Sequence, residues 1–277
     1  MSDLAQAVAK YATVVQDCRV LAFEHVAQLA PAFGRTRRDI EVAALELGVL
    51  PQRYLRNYGT LGIEGQLALL RSHAVVVGLG GLGGFVVEGL ARMGVGRLTL
   101  IDGDVFFDHN LNRQLLSSEA VLGEPKAHAA AERVHQINGA VDVVVHAVYA
   151  DLDNLDELLA GADVVIDALD RLPIRLTLQD VAARLNLPMV HGAIAGTMGQ
   201  VMTILPGDPG LKALYGDGPM PEQGAEAELG TPAPSPMMVA AWQVHETIKL
   251  LTGKGELLRG QMLLMDAYSN DVRVVSL

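Results

Sequence analysis

The sequence predicts an α/β fold built on one central sheet. Short apolar runs rich in Val, Ile and Leu alternate with stretches of helical periodicity, which is typical of a parallel sheet covered by helices on both faces. The first apolar run ends in a glycine-rich stretch, residues 78–83, and a helical pattern follows it at once. This order is how doubly wound, mostly parallel, Rossmann-like sheets begin.

Residues 1–50 are predicted to form a helical N-terminal appendage without strands. Apolar residues recur there at helical spacing in three stretches, which Pro31 and Gly34 separate. Asp39 is placed to begin the third helix. The remaining residues, 51–277, are predicted to form the main domain.

The first part of the main domain is expected to alternate strands and helices. The strands are predicted over residues 74–78, 97–102, 141–150, 162–170 and 187–194. The helices between them are predicted over residues 84–93, 126–138, 152–159 and 172–185.

The last part of the chain has a different pattern. A strand is predicted over residues 199–206, and a long loop, either functional or mobile, over residues 206–236, which are rich in Gly, Pro and acidic residues. A helix over residues 237–251 follows. Two runs within residues 260–277 predict antiparallel C-terminal edge strands.

The composition excludes several classes of protein. The chain has 277 residues, 50% of them hydrophobic, so it can bury a full core. Its 32 acidic and 21 basic residues give a net charge of −11, which makes nucleic acid or an acidic membrane an unlikely main partner. One cysteine, Cys18, excludes an intramolecular disulfide, a four-cysteine zinc site and a CxxC pair. The sequence has no export signal and no run long enough to span a membrane, so a cytoplasmic protein is expected.

The glycine-rich stretch predicts a phosphate-binding loop. Gly78 would allow the tight turn, and Gly80 and Gly81 would let the backbone approach a phosphate. Gly83 would let the helix pack on the strand. Asp102 ends the next predicted strand, where a carboxylate can accept hydrogen bonds from ribose hydroxyls. These features predict an adenine nucleotide without separating NAD from ATP.

The residues after Asp102 favour ATP over NAD. A dehydrogenase would need a substrate domain, for which little chain remains. Asn110, Arg113 and Gln114 follow the ribose carboxylate, and Lys126 begins a predicted helix. Arg and Lys here would neutralise a polyphosphate, as a reaction at the α-phosphate requires. Asp170 ends a strand at the carboxyl edge of the sheet and would be a Mg²⁺ ligand.

Several longer motifs keep a fixed order from about residue 53 to the end of the chain. They are RYLRN (53–57), VVGLGGLGG (76–84), LIDGDVFFDHNLNRQLL (100–116), GEPKA (123–127), DALD (167–170), GQV (199–201), HETIKLLTG (245–253) and LRGQMLLMDA (258–267). On these motifs the chain resembles the ThiF/MoeB/HesA family of ubiquitin-activating-enzyme-like adenylyltransferases.

The resemblance implies a specific reaction. Residues 51–277 would be an ATP-binding adenylyltransferase domain that works as a homodimer with ATP and Mg²⁺. The C-terminal carboxylate of a small ubiquitin-like sulfur-carrier protein ending in Gly-Gly would attack the α-phosphate, giving an acyl adenylate and pyrophosphate. The implied ATP-binding residues are Gly78, Gly80, Gly81, Gly83, Asp102, Asp104, Asn110, Arg113, Gln114 and Lys126, and the implied catalytic residues are Arg56, Arg113, Lys126 and the Mg²⁺ ligand Asp170.

Each implied role has a structural alternative. Arg113 could pair with Asp104 or Asp108 on a surface loop, and Lys126 could be a solvated residue in the first turn of its helix. Asp170 could be the N-cap of the following helix. Arg56, implied to reach the γ-phosphate in the partner's site, could be an ordinary surface residue, with Arg53 as its rival.

The chain departs from the family in two places. It lacks the paired CxxC motifs that bind zinc, and Cys18, its only cysteine, has apolar neighbours, so we expect neither zinc nor an enzyme-bound thioester. Arg171 stands where the family usually shows asparagine. Two other functions stay open: an ATP-dependent enzyme acting on tRNA or a small molecule, as in threonylcarbamoyladenosine dehydratases, and a non-catalytic nucleotide-binding scaffold.

Overall fold

The computed structural model describes residues 3–216 and 224–277 of the chain. The strands within these ranges are β1 (Thr13–Val15), β2 (Cys18–Leu21), β3 (Leu50–Pro51), β4 (His73–Val77), β5 (Arg97–Ile101), β6 (Asp142–His146), β7 (Val164–Asp167), β8 (Met189–Ala195), β9 (Met198–Ile204), β10 (Gln261–Asp266) and β11 (Asp271–Ser276). The α-helices are α1 (Asp3–Tyr11), α2 (Phe23–Ala32), α3 (Arg37–Glu46), α4 (Tyr58–Arg71), α5 (Gly81–Met93), α6 (Lys126–Ile137), α7 (Leu155–Leu158), α8 (Leu172–Arg184), α9 (Leu211–Tyr215), α10 (Glu226–Leu229) and α11 (Pro234–Thr252).

Eight strands form one sheet in the order β11-β10-β9-β8-β7-β4-β5-β6. The five strands from β8 to β6 in this order run parallel. Strands β9, β10 and β11 each run antiparallel to their neighbours. The predicted doubly wound, mostly parallel sheet with antiparallel C-terminal edge strands is therefore confirmed. The chain passes from β4 to β5 and β6 on one side and then returns to β7 on the other, so strand order reverses beside β4.

Alternate residues of β4 face two separate apolar clusters. Val76 packs in the cluster formed with α5, α6 and α11, whereas Val75 and Val77 pack in the cluster formed with α7, α8 and α9. All five residues of β4 are buried. A strand buried on both faces requires a continuous apolar run, which is the pattern that predicted it.

The N-terminal region differs from the prediction because it contains strands. Strands β1, β2 and β3 form a small sheet, with β1 and β2 antiparallel and β3 parallel to β2. Gln16 and Asp17 make the two-residue turn between β1 and β2 with positive φ angles of 50° and 62°. That turn is typical of a tight hairpin, but neither residue is the glycine that usually signals it.

The start of α3 also differs from the prediction. Thr36 is its N-cap, and the side chain of Thr36 accepts a hydrogen bond from the Asp39 N–H while the Asp39 carboxylate accepts one from the Thr36 N–H. Asp39 is therefore the third residue of the helix, not its first, because a reciprocal capping box places the acid three residues after the cap.

Several boundaries in the main domain were predicted wrongly. Strand β6 ends at His146 and β7 at Asp167, and α7 is a single turn. Within the predicted long loop, α9 and α10 are short helices, and α11 begins early with Pro234 and Pro236 in its first turn. Residues 217–223 of that loop lie outside the described residues. No helix in the described part of the chain is long and apolar enough to cross a membrane.

A buried polar network joins the N-terminal region to the main domain. The Tyr54 hydroxyl donates to Glu41 Oε2 over 3.1 Å and accepts from Asn138 Nδ2 over 2.9 Å. Arg53 pairs with Glu41 and donates to the Asn138 amide oxygen. Burial raises the pKa of Glu41, although the charge of Arg53 opposes this. The predicted domain boundary at residue 50 falls inside β3 and stays a prediction.

We expect Tyr54→Phe to destabilise the protein. The substitution removes a hydroxyl that bridges two buried polar groups, so the free energy of unfolding should fall by about 1–3 kcal/mol. Tyr58→Phe is the matched control, because Tyr58 is 44% exposed, and it should change this free energy by less than about 0.5 kcal/mol. Urea unfolding measures both, and equal effects would contradict the bridging role.

Candidate active site

The predicted site residues meet at the carboxyl ends of β4, β5 and β7, where strand order reverses. A cavity of about 760 Å³ lies there. Open α/β sheets bind ligands at such a position. The predicted residues that line it are Gly78, Gly80, Gly81, Asp102, Asp104, Arg113, Gln114, Lys126 and Asp170. Gly83, Asn110 and Arg56 do not line it.

The glycine loop after β4 has two kinds of glycine. Gly78 has a φ of +89°, and a Cβ added to it would lie 2.6 Å from the Ala168 carbonyl oxygen. A Cβ on Gly83 would lie 1.9 Å from the carbonyl oxygen of Gly78. No atom comes within 3.4 Å of a Cβ built on Gly80 or Gly81. The fold itself therefore requires the outer glycines, whereas the middle two leave the loop backbone open to the cavity.

Asp102 ties the glycine loop to the end of β5. Its Oδ2 accepts from the Leu79 N–H over 2.7 Å, and its Oδ1 accepts from the Asp104 N–H over 2.8 Å. Burial raises the pKa of this carboxyl, and the charge of Lys126 opposes the rise. Each oxygen keeps a lone pair for a second donor, so the expected ribose contact stays a prediction.

Lys126 is buried in the cavity wall and is not a solvated helix residue. Its Nζ lies 3.0 Å from Asp104 Oδ2, and the Tyr149 hydroxyl donates to Asp104 Oδ1 over 2.6 Å. Burial favours the neutral form of Asp104, but the bonds from Tyr149 and Lys126 hold its pKa below the ordinary value. The ammonium has two further protons, which can reach an anion in the cavity.

Tyr149 is a cavity residue that the sequence interpretation missed. It was placed at the end of a predicted strand, but β6 ends at His146 and the chain then turns over Gly103. A Cβ on Gly103 would lie 2.7 Å from the Tyr149 ring. No local pattern signals this close approach.

Asn110 and Arg113 belong to the turn that follows β5. Asn110 is buried, and its Oδ1 accepts from the Phe107 N–H over 2.8 Å, so it shapes the turn without reaching the cavity. Arg113 donates to the carbonyl oxygen of His109 and to Asn112 Oδ1. It makes no ion pair with any described acidic residue, unlike the surface pairing considered as its alternative.

Gln114 presents an unused acceptor beside the glycine loop. The side chain is 6% exposed, and its Oε1 has no hydrogen-bond partner in the described part of the chain. A Cβ on Gly80 would lie 3.5 Å from Gln114 Nε2. A buried amide oxygen without a partner is costly, which is consistent with a ligand that donates to it.

Asp170 is an exposed carboxylate that lines the cavity. The N-cap of α8 is Arg171, so Asp170 does not cap that helix. Asp170 makes no hydrogen bond or ion pair with any described residue. Residues 3–216 and 224–277 contain no group of three or more His, Cys, Asp or Glu side chains arranged for a metal ion. Mg²⁺ commonly takes one or two carboxylates together with substrate phosphates, so a single free carboxylate fits this ion when a nucleotide supplies the rest.

Arg53 and Arg56 differ clearly in their surroundings. Arg53 lies 3.2 Å from Glu41 Oε1 and is held inside its own chain. Arg56 is exposed and has no partner among the described residues. Of these two arginines, Arg56 is therefore the one whose side chain is available to contact another molecule.

A second cavity, of about 800 Å³, adjoins the first. The two share Asp170, Arg175, Ile194 and Glu226. The second extends along β8, β9 and β10, and its walls include the apolar side chains of Met198, Leu214, Leu264 and Met265. The sequence did not predict this cavity, because its walls come from strands and helices that are distant in the chain.

Cys18 lies in β2 of the N-terminal region. It is buried and lines neither cavity. Burial raises the pKa of its thiol, which disfavours the thiolate.

Comparison with known proteins shows which family the sequence resembles. A family model described as the ThiF family matches residues 54–277. The chain is 40% identical over 208 residues to the SAMP-activating enzyme E1 of Haloferax volcanii, covering 75% of this chain and 77% of that protein. It is 37% identical over 220 residues to a sulfur carrier protein adenylyltransferase of Thermus thermophilus, covering 77% of this chain and 81% of that protein. The resemblance stated from the motifs is confirmed.

Some relatives are longer than this chain. The chain spans about half the length of the proteins named adenylyltransferase and sulfurtransferase MOCS3, covering 45% of MOCS3-2 from Zea mays. Among solved structures, E. coli MccB with ATP has a TM-score of 0.69 at 22% identity, covering 81% of this chain and 71% of that one. This similarity shows a shared fold.

We expect the two kinds of loop glycine to respond differently to alanine. Gly83→Ala places a methyl group against backbone, so it should destabilise the protein by about 3 kcal/mol or more, the upper end for overpacking. Gly81→Ala is the control, because its added Cβ has no neighbour closer than 3.6 Å, and it should fold with near wild-type stability. Thermal unfolding measures both. A stable Gly83→Ala variant would contradict the packing role.

Proposed function

Because the chain belongs to the ThiF family, we propose that it is an ATP-dependent adenylyltransferase. Its substrate would be the C-terminal carboxylate of a small ubiquitin-like sulfur-carrier protein ending in Gly-Gly, and the second product would be pyrophosphate. The observation that carries the proposal is one cavity that brings together an open glycine-loop backbone, the buried cation Lys126 and the free carboxylate Asp170. Relatives named as sulfur-carrier adenylyltransferases support it.

The nucleotide would lie along the glycine loop. The backbone at Gly80 and Gly81 begins α5, and a helix N-terminus attracts phosphate. Asp102 would accept from the ribose. Arg113 and Lys126 would neutralise the charge that builds up on the departing pyrophosphate, the part of the transition state that most needs stabilisation. Asn110 would act indirectly, by fixing the turn that carries Arg113.

Asp170 would hold Mg²⁺ together with phosphate oxygens. When bound, this ion would act as a Lewis acid on the phosphate oxygens. Asp170 suits the role because its carboxylate is exposed to the cavity and is not paired with any residue that the structure describes. We expect no zinc, since the chain has a single cysteine.

The second cavity would accept the carrier's C-terminal tail. It opens into the nucleotide cavity, so a tail lying in it would end beside the α-phosphate. Its apolar wall residues suit an extended peptide, whose terminal glycines would lie in the shared region. Glu226 of α10 lines both cavities, which connects part of the predicted long loop with this path.

We propose that the reaction stops at the acyl adenylate or passes it to an external thiol or amine. Cys18 is the only cysteine of the chain, and burial with a raised thiol pKa makes it a poor nucleophile. We also propose a cytoplasmic homodimer in which Arg56 of one protomer, which has no partner among the described residues, reaches the nucleotide of the other.

Lys126→Ala tests the reaction. With a small Gly-Gly-ended ubiquitin-fold protein from the same genome, wild type should catalyse exchange between ATP and pyrophosphate, and Lys126→Ala should lower the rate roughly 100-fold or more. Lys10→Ala, which removes an exposed lysine of α1, is the control and should retain exchange.

Two results would reject this function. Carrier-independent ATP turnover stimulated by tRNA would favour the tRNA-modifying alternative. Tight ATP binding with no pyrophosphate release in the presence of any such carrier would favour a scaffold.

A complementation experiment tests Arg56. Arg56→Ala and Lys126→Ala homodimers should each be nearly inactive in the exchange assay. After subunits exchange, each heterodimer has one site with both residues intact, so about a quarter of wild-type activity should return. No recovery in verified heterodimers would exclude action across the dimer.

A further inference from the structure

Arg175 is a buried cation at the junction of the two cavities. It lies on α8, is 7% exposed and lines both cavities. Its Nη2 donates to the Leu169 carbonyl oxygen, and its Nε is buried without a hydrogen-bond partner. A guanidinium has five N–H donors, and hydrogen bonds to the described residues occupy only one here. A nearly buried guanidinium with unused donors is costly unless another anion completes it.

Asp167 balances the charge of Arg175 but accepts no hydrogen bond from its N–H groups. Its Oδ1 lies 3.9 Å from Arg175 Nε, too far for a hydrogen bond. That oxygen accepts from the Leu169 N–H over 3.1 Å, and Oδ2 is 2.7 Å from His191 Nδ1. Gln243 Nε2 donates a hydrogen bond of 2.8 Å to the backbone carbonyl oxygen of Asp167. Asp167 is thus held by other groups at this distance from Arg175.

The charge state of this cluster follows from its surroundings. Burial favours a neutral Asp167, but the charge of Arg175 and the His191 hydrogen bond outweigh it and lower the pKa of the carboxyl. Burial also lowers the pKa of His191, against the pull of Asp167, so the imidazole is neutral near pH 7. The cluster therefore holds one carboxylate and one guanidinium.

The cluster continues into the wall of the second cavity. Neutral His191 donates from Nδ1 to Asp167, so its Nε2 accepts from Gln200 Nε2 over 3.1 Å. Gln200 also donates to the Tyr215 hydroxyl over 3.3 Å, and both residues line that cavity. Arg175 is therefore held by a network that reaches the surface on which the tail would lie.

A carboxylate entering this junction meets unfavourable charge. Asp170 and Glu226 line the same shared region, and the phosphates of a nucleotide would add to their repulsion. Arg175 is the buried cation at the position where this repulsion needs an opposite charge. Its unused donors also match the geometry of a carboxylate, which guanidinium binds through paired N–H groups.

We propose that Arg175 binds the terminal carboxylate of the tail where the second cavity meets the nucleotide cavity, an inference that rests on the proposed adenylation. One carboxylate oxygen then forms a bond to the α-phosphorus. The bond from that phosphorus to the bridging oxygen breaks, and its electron pair leaves with pyrophosphate. No proton transfer is needed, so the task of Arg175 is to bind and orient the anion.

The test measures whether binding depends on the terminal charge. Two N-acetylated peptides, Ala-Ala-Ala-Ala-Gly-Gly with a free carboxylate and the same peptide with a C-terminal carboxamide, are titrated calorimetrically into full-length protein with Mg²⁺ and a non-hydrolysable ATP analogue. Wild type should prefer the carboxylate by about tenfold. Arg175→Gln should bind both peptides equally and the ATP analogue within about twofold of wild type.

Two further variants separate charge from structure. Arg175→Lys keeps the charge but loses the paired donors, so it should retain part of the preference. If Arg175→Gln does not fold, the carboxylate preference of Arg175→Lys tests the proposal in its place. Arg184→Gln removes an exposed arginine of the same helix, paired with Asp156, and should keep the full preference.

Three outcomes would overturn the proposal: wild type that does not distinguish the peptides, a full preference in both Arg175 variants, or a loss of ATP-analogue affinity as large as the loss of peptide affinity. The last would assign Arg175 to the nucleotide. Failure of the proposed function gives a different pattern. An Arg175-dependent carboxylate preference without carrier-dependent exchange in wild type would support the anion site and reject adenylation.

Discussion

The contact between Gly83 and the carbonyl oxygen of Gly78 is the constraint on which the site depends. It lets α5 begin directly above the end of β4, so the helix N-terminus and the loop backbone face the same space. Asp102 then fixes the loop from the neighbouring strand by accepting the Leu79 N–H. The packing of Gly83 and the hydrogen bond to Asp102 thus fix the loop, so the backbone N–H groups at the middle glycines are preorganised before a ligand binds. Preorganised donors need little reorganisation during a reaction.

The charge at the site is arranged locally and does not follow the net charge of the chain. The protein carries −11 overall, yet Lys126, Arg113 and Arg175 all line one cavity. Lys126 is balanced by Asp104, whose position Tyr149 secures, and Arg175 is balanced by Asp167. Each buried cation thus keeps a nearby carboxylate and retains donors for an anion, so an acidic chain can still present a site for polyphosphate.

The sequence predicted the parts of the fold and site that depend on local patterns. Strand β4, the glycine loop and Asp102 are close together in the chain. Their strand–loop–helix–strand order was sufficient to predict that the loop and Asp102 lie at the same edge of the sheet. The small sheet of the appendage could not be predicted, because β2 pairs with β3 some thirty residues later over only two residue pairs. Tyr149 and Arg175 were missed for a related reason. Their roles depend on chain segments brought together by the sheet order, and Arg175 resembles any helical arginine until its burial is known.

The incomplete bonding of Arg175 explains how such a site can favour binding at the reacting carboxylate. In the free protein the Nε of Arg175 is shielded from water without a hydrogen-bond partner among the described residues, and Asp167 compensates for this only at 3.9 Å, which lowers stability. A carboxylate that completes those hydrogen bonds recovers this energy upon binding, and it does so only where the two cavities meet. On this proposal, binding energy would be concentrated at the end of the tail rather than spread along the apolar walls. A tail that fits the walls but lacks the terminal charge would gain none of it, so the junction would select for the group that must react.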